Sequence, residues 1–313
     1  MNAEQVRESF ARRGYIADGD LSTAVELMLA LQKPLLVEGP AGVGKTESAK
    51  VLAGVLNAKL IRLQCYEGLD AANALYEWNY PKQLLHIRLT ENAGISTAQR
   101  EAEIFSERFL LRRPLLEAIS QDSPVVLLID EIDRADEAFE AFLLEILGEF
   151  QVTIPEIGTI AAKSRPVVIV TSNRTRDLSD ALRRRCLYLW IEYPSLEREI
   201  EILRARVPEV NEHLARQIAR FMEFLRAQPF SRVPGTAESL DWALALVRLH
   251  REALDARTLE ETAGCILKVQ EDWELLRTLQ PSYAPLLNRA REGDGKEEPE
   301  ADYGLGSVRA NVR

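Results

Sequence analysis

Residues 39–46 read Gly39-Pro40-Ala41-Gly42-Val43-Gly44-Lys45-Thr46, between the apolar run Leu35-Leu36-Val37 and the helix-forming Glu47-Ser48-Ala49-Lys50-Val51-Leu52-Ala53. Strand, glycine-rich loop and helix in that order form a phosphate cradle. The glycines let successive backbone N–H groups curl around the phosphates, and the helix start adds positive partial charge. Lys45 brings a point charge to the β- and γ-phosphates, and Thr46 offers a hydroxyl to Mg²⁺. The pattern predicts a nucleoside triphosphate site using ATP with Mg²⁺.

A second piece of chemistry lies at Val125-Val126-Leu127-Leu128-Ile129, which runs into Asp130-Glu131. A buried parallel strand delivers its carboxyl end to the ligand crevice, so acids placed there reach a bound nucleotide. Asp130 is expected to hold Mg²⁺, directly or through water, and Glu131 to act as the base for the attacking water. A further apolar strand, Val167-Val168-Ile169-Val170, ends in Thr171-Ser172-Asn173. An amide there can orient the water between Glu131 and the γ-phosphate, although an Asn that only begins a turn has the same sequence signature.

The elements that must position these groups follow from periodicity. Helical patterns span about 3–13 and 20–32. Lys59-Leu60-Ile61-Arg62-Leu63-Gln64 alternates as a second strand. A simple crossover needs only a dozen or so residues, so 66–124 must hold an insertion as well as helices. Within it, Leu84-Leu85-His86-Ile87-Arg88-Leu89 reads as a short strand with His86 solvated. Asp136–Leu147 is an amphipathic helix with Phe139, Phe142, Leu143, Ile146 and Leu147 inward, ended by Gly148, and about 150–160 alternates as a hairpin around Pro155-Glu156-Ile157-Gly158. Helical patterns return near 195–206, 211–227, 237–253 and 258–279.

The chain has 313 residues, net charge −10 and three cysteines. One core seldom exceeds about 250 residues, so two domains are expected. The acidic balance argues against a protein held to nucleic acid by phosphate neutralisation. The stretch 292–313 carries six acids and three bases, too few to account for that charge, so the body is acidic too. Cys65, Cys186 and Cys265 have no metal-ligand spacing and read as packing residues of a reducing compartment. The N-terminus lacks a basic start with an apolar segment, and no run approaches the ~20 residues of a membrane span, so a soluble, cytoplasmic protein is expected.

Together the phosphate loop, the Asp130-Glu131 pair, Asn173 and the Arg183-Arg184-Arg185-Cys186 run after Asp180-Ala181-Leu182 resemble the AAA+ ATPases, over roughly residues 15–283. An insert within about 66–112 and a hairpin before Asn173 make the chain resemble the MoxR family among them. Gln64-Cys65-Tyr66-Glu67-Gly68-Leu69-Asp70, Leu75-Tyr76-Glu77-Trp78-Asn79-Tyr80-Pro81 and Ala237-Glu238-Ser239-Leu240-Asp241-Trp242 look like its CoxD-type members, linked to maturation of carbon monoxide dehydrogenase and related molybdenum hydroxylases.

The resemblance implies a three-layer α/β P-loop domain with a five-stranded parallel sheet over 1–193, a small helical lid over 194–283 and an acidic, disordered tail over 284–313. It implies ATP hydrolysis that remodels a protein client, a ring usually of six subunits, and a von Willebrand factor A-type partner protein with a metalloenzyme client. Asn173 stands at the sensor-1 position. Arg185, with Arg184 as the alternative, stands where an arginine finger reaches a neighbour's nucleotide; arginines that only complement a helix dipole would look the same. Tyr15 and Ile16 lie where the family reaches the adenine.

One departure stands out: Glu238 occupies the position of the lid's sensor-2 arginine. It is expected to cap its helix in a Thr236-x-Glu238 start or to pair with a neighbour's arginine, with Arg232 as a substitute cation. Two other classes stay open, a nucleic-acid remodeller on the same fold and a non-catalytic nucleotide-dependent scaffold. The hairpin's lack of Lys and Arg counts against the first, and the presence of Glu131 and Arg185 against the second.

Overall fold

A computed structural model describes residues 1–90 and 96–288. Five strands form one parallel sheet: β1 (Leu35–Glu38), β2 (Lys59–Gln64), β3 (Val125–Asp130), β4 (Val167–Ser172) and β5 (Leu187–Trp190), in the order β2-β3-β4-β1-β5. Central strands buried on both faces read as unbroken apolar runs, and period-two alternation divides their side chains between two cores. Leu35, Val37, Leu128 and Ile169 pack against the helices Ala3–Ala11, Gly19–Leu31 and Lys45–Val55. Leu36, Leu127, Ile129, Val168 and Val170 face the other way, onto Pro114–Ile119 and Glu137–Glu149. This is the expected three-layer α/β arrangement, and it brings the C-terminal ends of β1, β3 and β4 together.

The insertion between β2 and β3 differs from its sequence reading. Leu84–Leu89 is not a strand; it lies in the helix Tyr80–Leu89. Asn79 caps that helix by accepting from the Lys82 N–H at 3.1 Å, and Pro81 presets its first turn. The short strand lies upstream, Tyr76–Trp78, antiparallel to Leu110–Arg112. His86 is a helix residue whose ring meets Glu103 at 3.1 Å and lies beside Phe109. Two apolar residues in a row masked the i, i+4 spacing of Leu85 and Leu89.

Helix Glu137–Glu149 runs through Gly148 rather than stopping there, and ends on Phe150 in the left-handed conformation (φ +51). The hairpin forms from Gln151–Ile154 and Gly158–Ala161. Gly158 (φ +98) supplies the turn conformation that a side chain would resist.

A separate core, around Leu214, Phe221, Trp242, Leu246 and Leu259, belongs to the helices from Leu196 onward. The pattern at 258–279 is two helices, Ala256–Thr262 and Gln270–Thr278, broken by a turn containing Gly264. The last described helix, Gln280–Asn288, crosses the boundary expected at 283: Tyr283 and Leu287 are buried in this core, so residues 284–288 belong to the helical unit. The remainder of the expected tail, and 91–95, lie outside the described residues.

Candidate active site

Three positions of the loop after β1 adopt positive φ: Gly39 (+155°), Gly42 (+77°) and Gly44 (+95°). At Gly39 the requirement is absolute, because a Cβ would sit 2.2 Å from the Ile191 carbonyl oxygen. The loop wraps a cavity of about 390 Å³ between the sheet ends and the helical unit, well within the range of small-molecule sites. Ala41, Gly42, Val43, Gly44, Lys45 and Thr46 line it, joined by Asp130, Glu131 and Asn173. Gly39 and Pro40 act from behind, their carbonyls accepting from Lys45 Nζ at 2.8 and 2.6 Å. Burial pushes the Lys45 ammonium down to about 8, against the opposing pull of Asp133, Asp130 and Glu131.

Asp130 ends β3, buried. Its Oδ1 accepts from Thr46 Oγ1 at 2.9 Å and from Thr171 Oγ1 at 2.5 Å, and its Oδ2 accepts from Arg62 Nε at 2.9 Å and Nη2 at 2.5 Å. Four donors fix the carboxylate beside the loop. The adjoining Thr46 hydroxyl and Asp130 carboxylate are hard oxygen donors, and they fit Mg²⁺.

Glu131 takes the left-handed conformation (φ +56), an uncommon state for a residue with a side chain. Its N–H donates to Thr171 Oγ1 at 3.0 Å, and its Oε2 accepts from Gln64 Nε2 at 3.1 Å. The chain thus turns the carboxylate out of the strand line and into the cavity. Asn173 follows β4, its backbone N–H held by Asp133 Oδ1 at 3.2 Å, while Asp133 Oδ2 accepts from the Thr175 N–H and hydroxyl at 2.9 and 2.7 Å.

Tyr15, Ile16, Ile202 and Leu240 add apolar surface to the cavity lining. Tyr15 stands edge-on to Phe10, and its buried phenol, donating to the Gly44 carbonyl at 3.4 Å, is held above its ordinary pKa. Arg198 also lines the cavity and is anchored by an ion pair to Asp18 and a 3.0 Å bond to the Ile16 carbonyl.

Arg185 does not join the cavity. It lies exposed at the end of helix Asp180–Arg185, beside exposed Arg184. Arg183, by contrast, reaches the fully buried Glu38 at 3.3 Å, where the Tyr188 hydroxyl also donates at 3.1 Å. Glu238 does cap its helix, but the cap is Gly235, whose N–H it accepts at 2.9 Å, rather than Thr236. Arg232 is exposed and does not line the cavity; its backbone N–H donates to Asp272 at 3.0 Å. Burial drives the thiols of Cys65 and Cys186 up to about 12, as fits packing residues.

Residues 35–190 match the profile of the "ATPase family associated with various cellular activities (AAA)". They form an AAA ATPase domain. The match spans β1 to β5 and every lining residue from the sheet, so the chain is an ATPase, of a class that works on ATP with Mg²⁺ and typically assembles into rings. An uncharacterized protein of Staphylococcus epidermidis is 26% identical over 206 residues, covering 64% of this chain and 70% of its own. One of Staphylococcus aureus is 24% identical over 217 residues, 67% and 74% of the two chains. The RuvB Holliday junction branch migration motor of Thermotoga maritima aligns over 90% of this chain and 74% of its own, at 18% identity and a TM-score of 0.42. No helix among the described residues is long and apolar enough to cross a membrane.

The AAA ATPase site contains polar residues that sequence reading passed over. Thr171 clamps Asp130 and the Glu131 backbone together, and Asp133 holds the Asn173 loop. Both had a faint signal: Thr171 lies near the end of β4, two residues before Asn173, and Asp133 lies three after Asp130. Arg62 and Gln64 gave none, since alternating polar residues on an edge strand read as solvated.

Proposed function

We propose that this ATPase is a MoxR-type chaperone that remodels a protein client, acting in metal-centre maturation of a molybdenum hydroxylase such as carbon monoxide dehydrogenase. The insertion after β2 carries the reading. Its helix Tyr80–Leu89 exposes Tyr80, Leu84, Leu85 and Leu89, each more than half accessible. An apolar face suits contact with protein, and the hairpin Gln151–Ala161 brings no Lys or Arg for a phosphate backbone.

In this reading the ATP phosphates lie in the loop Gly39–Thr46, with Lys45 supplying positive charge, and the adenine lies by Tyr15, Ile16 and Leu240. Thr46 and Asp130 would hold Mg²⁺, whose charge would offset that of the phosphates. Glu131 takes the proton of a water that Asn173 orients. The water oxygen bonds to the γ-phosphorus as the bond to the ADP oxygen breaks, and Arg185 of a neighbouring subunit stabilises the charge that develops. Six subunits form the ring, and a von Willebrand factor A-type protein brings the client. A nucleic-acid remodeller and a static scaffold are the readings displaced.

The deciding experiment is deletion in a strain that makes such a hydroxylase. The hydroxylase should be synthesised and folded but lack a complete metal centre, and Glu131→Gln should fail to restore it. A fully metallated, active hydroxylase in the deletion strain would remove the maturation role and leave the ATPase untouched.

A further inference from the structure

Strand β1 is an apolar run that ends in a charge. Leu35, Leu36 and Val37 are buried, and so is Glu38, the last residue of the strand, at 0% exposure. Alternation turns Glu38 the same way as Leu36, away from the helices that pack on Leu35 and Val37. On that side its carboxylate meets the first arginine of the Arg183-Arg184-Arg185 run. Arg183 Nη2 donates to Oε1 at 3.3 Å and Nη1 to Oε2 at 3.4 Å, while the Tyr188 hydroxyl donates to Oε2 at 3.1 Å. The backbone of Glu38 is equally fixed: its carbonyl accepts from the Ile191 N–H at 2.8 Å, and the next residue, Gly39, opens the glycine-rich loop.

Taking a carboxylate out of water is costly, and a guanidinium partner offsets that cost only in part; an apolar residue continuing the run would stabilise the strand at least as well. What the ion pair adds is direction. Two N–H groups of one planar guanidinium on the two oxygens of one carboxylate set the angle at which the arginine leaves its backbone, and with it the rotation of its helix. That helix, Asp180–Arg185, has six residues, too few to hold an orientation by itself. Its start is held in the same manner by a second fully buried carboxylate, Glu140, which accepts from the Ser179 N–H at 2.9 Å and pairs with Arg176 at 2.5 Å. Two buried acids thus hold a short helix whose last residue, Arg185, stands exposed.

We propose that Glu38 is a positioning residue for the arginine finger: through Arg183 it aims Arg185 at the nucleotide of the neighbouring subunit, from a strand end continuous with the glycine-rich loop of its own. The proposal rests on the reading of Arg185 as a finger supplied in trans. Neither Glu38 nor Arg183 lines the cavity of its own subunit. Loss of the pair is therefore felt across the interface rather than at home.

The test is hydrolysis by mixed rings of full-length chains, with mixing verified by native mass spectrometry. Glu131→Gln subunits supply an intact finger and Arg185→Ala subunits an intact base, and the regained rate is the reference. Glu38→Gln, which keeps the shape and removes the charge, is added to one partner at a time. On the Glu131→Gln chain, which donates the finger, it should lower the regained rate about ten-fold or more, because a catalytic group misplaced by about 1 Å can cost about 10²-fold. On the Arg185→Ala chain, which bears the working site, the rate should stay within about two-fold of the reference. Arg183→Met, at the more exposed end of the pair, should repeat this one-sided pattern and serves where Glu38→Gln fails to fold. Equal falls on both chains overturn the proposal, since a merely structural pair would act without direction. A fall confined to the site-bearing chain, or none on the finger-donating chain, overturns it too. Absence of the reference rescue itself overturns the finger reading, whereas rescue without the one-sided loss overturns only the role of Glu38.

Discussion

Arg185 Nη1 donates to the Leu144 carbonyl at 2.5 Å, tying the last arginine of its run to the helix that leads into the hairpin. The guanidinium is exposed but not loose, and it lies outside its own subunit's cavity. Of its neighbours, Arg183 is engaged by buried Glu38, which leaves Arg184 and Arg185 facing outward.

A finger acting on a neighbour makes hydrolysis per subunit rise with protein concentration. Arg185→Ala should assemble but hydrolyse at least about 10³-fold more slowly, the low end for arginine fingers. Mixed with inactive Glu131→Gln subunits it should regain activity, because some interfaces then receive an intact base from one chain and an intact arginine from the other. No rescue in rings shown to be mixed would sink the assignment in trans.

Lys45 and Glu131 should fail in different ways. Lys45→Ala removes the buried charge of the glycine-rich loop, so nucleotide binding should be lost. Glu131→Gln keeps the carbonyl that Gln64 contacts but cannot take a proton; binding should persist while hydrolysis falls by about 10²-fold or more. Equilibrium binding and phosphate release, measured on both variants, check this. Parent-rate hydrolysis by Glu131→Gln would show that another group is the base.

The legible parts of the molecule were those with unambiguous local physics. Gly39, Gly42 and Gly44 had to be glycine because of their φ, and Val125–Ile129 had to be a central strand because nothing in it tolerates water. Reading failed where two signals overlapped. Leu84-Leu85 reads as strand because adjacent apolar residues hide the helical spacing, whereas the helix start at Asn79 and Pro81 shows only in the structure. The polar frame of the site was hidden for another reason: Thr171 and Asp133 matter through partners some forty residues away, a relation fixed only when β3 and β4 pair. Helix Gln280–Asn288 continues past residue 283 with Pro285 inside it, and buried Tyr283 and Leu287 hold it against the helical core.

Nucleotide binding should depend on pH through Lys45. With its free-state value near 8, the ammonium is charged below that pH and largely neutral by pH 9. Bound phosphates favour the charged form and raise the value, so affinity is full below about 8 and declines as pH rises through it. Binding at pH 9 should therefore take up close to one proton on Lys45. Calorimetry in buffers of different ionisation enthalpy reads this uptake, and Lys45→Arg should abolish it. Equal uptake in parent and Lys45→Arg would assign the proton elsewhere.

The geometry of the helical unit depends on a buried charge pair. Arg226 forms an ion pair with Glu199, donates to the Pro234 carbonyl at 3.1 Å and lies 4.7 Å from the centre of the Tyr193 ring, while Ser239 donates to Glu199 at 2.5 Å. Both charged side chains are more than nine-tenths buried. The cluster joins three helices of the helical unit and braces the Pro234–Gly235 turn that meets the glycine-rich loop. Removing one partner strands the other charge, so Arg226→Leu should cost about 3–5 kcal/mol in urea unfolding. Pairing it with Glu199→Leu should recover part of that loss, giving a coupling of at least about 1 kcal/mol between the two sites. ATP affinity should fall in Arg226→Leu even at temperatures where the chain stays folded, because the turn carrying Gly235 loses its brace. Strictly additive single effects, with ATP binding unchanged, would mean that the pair neither stabilises the helical unit nor positions it.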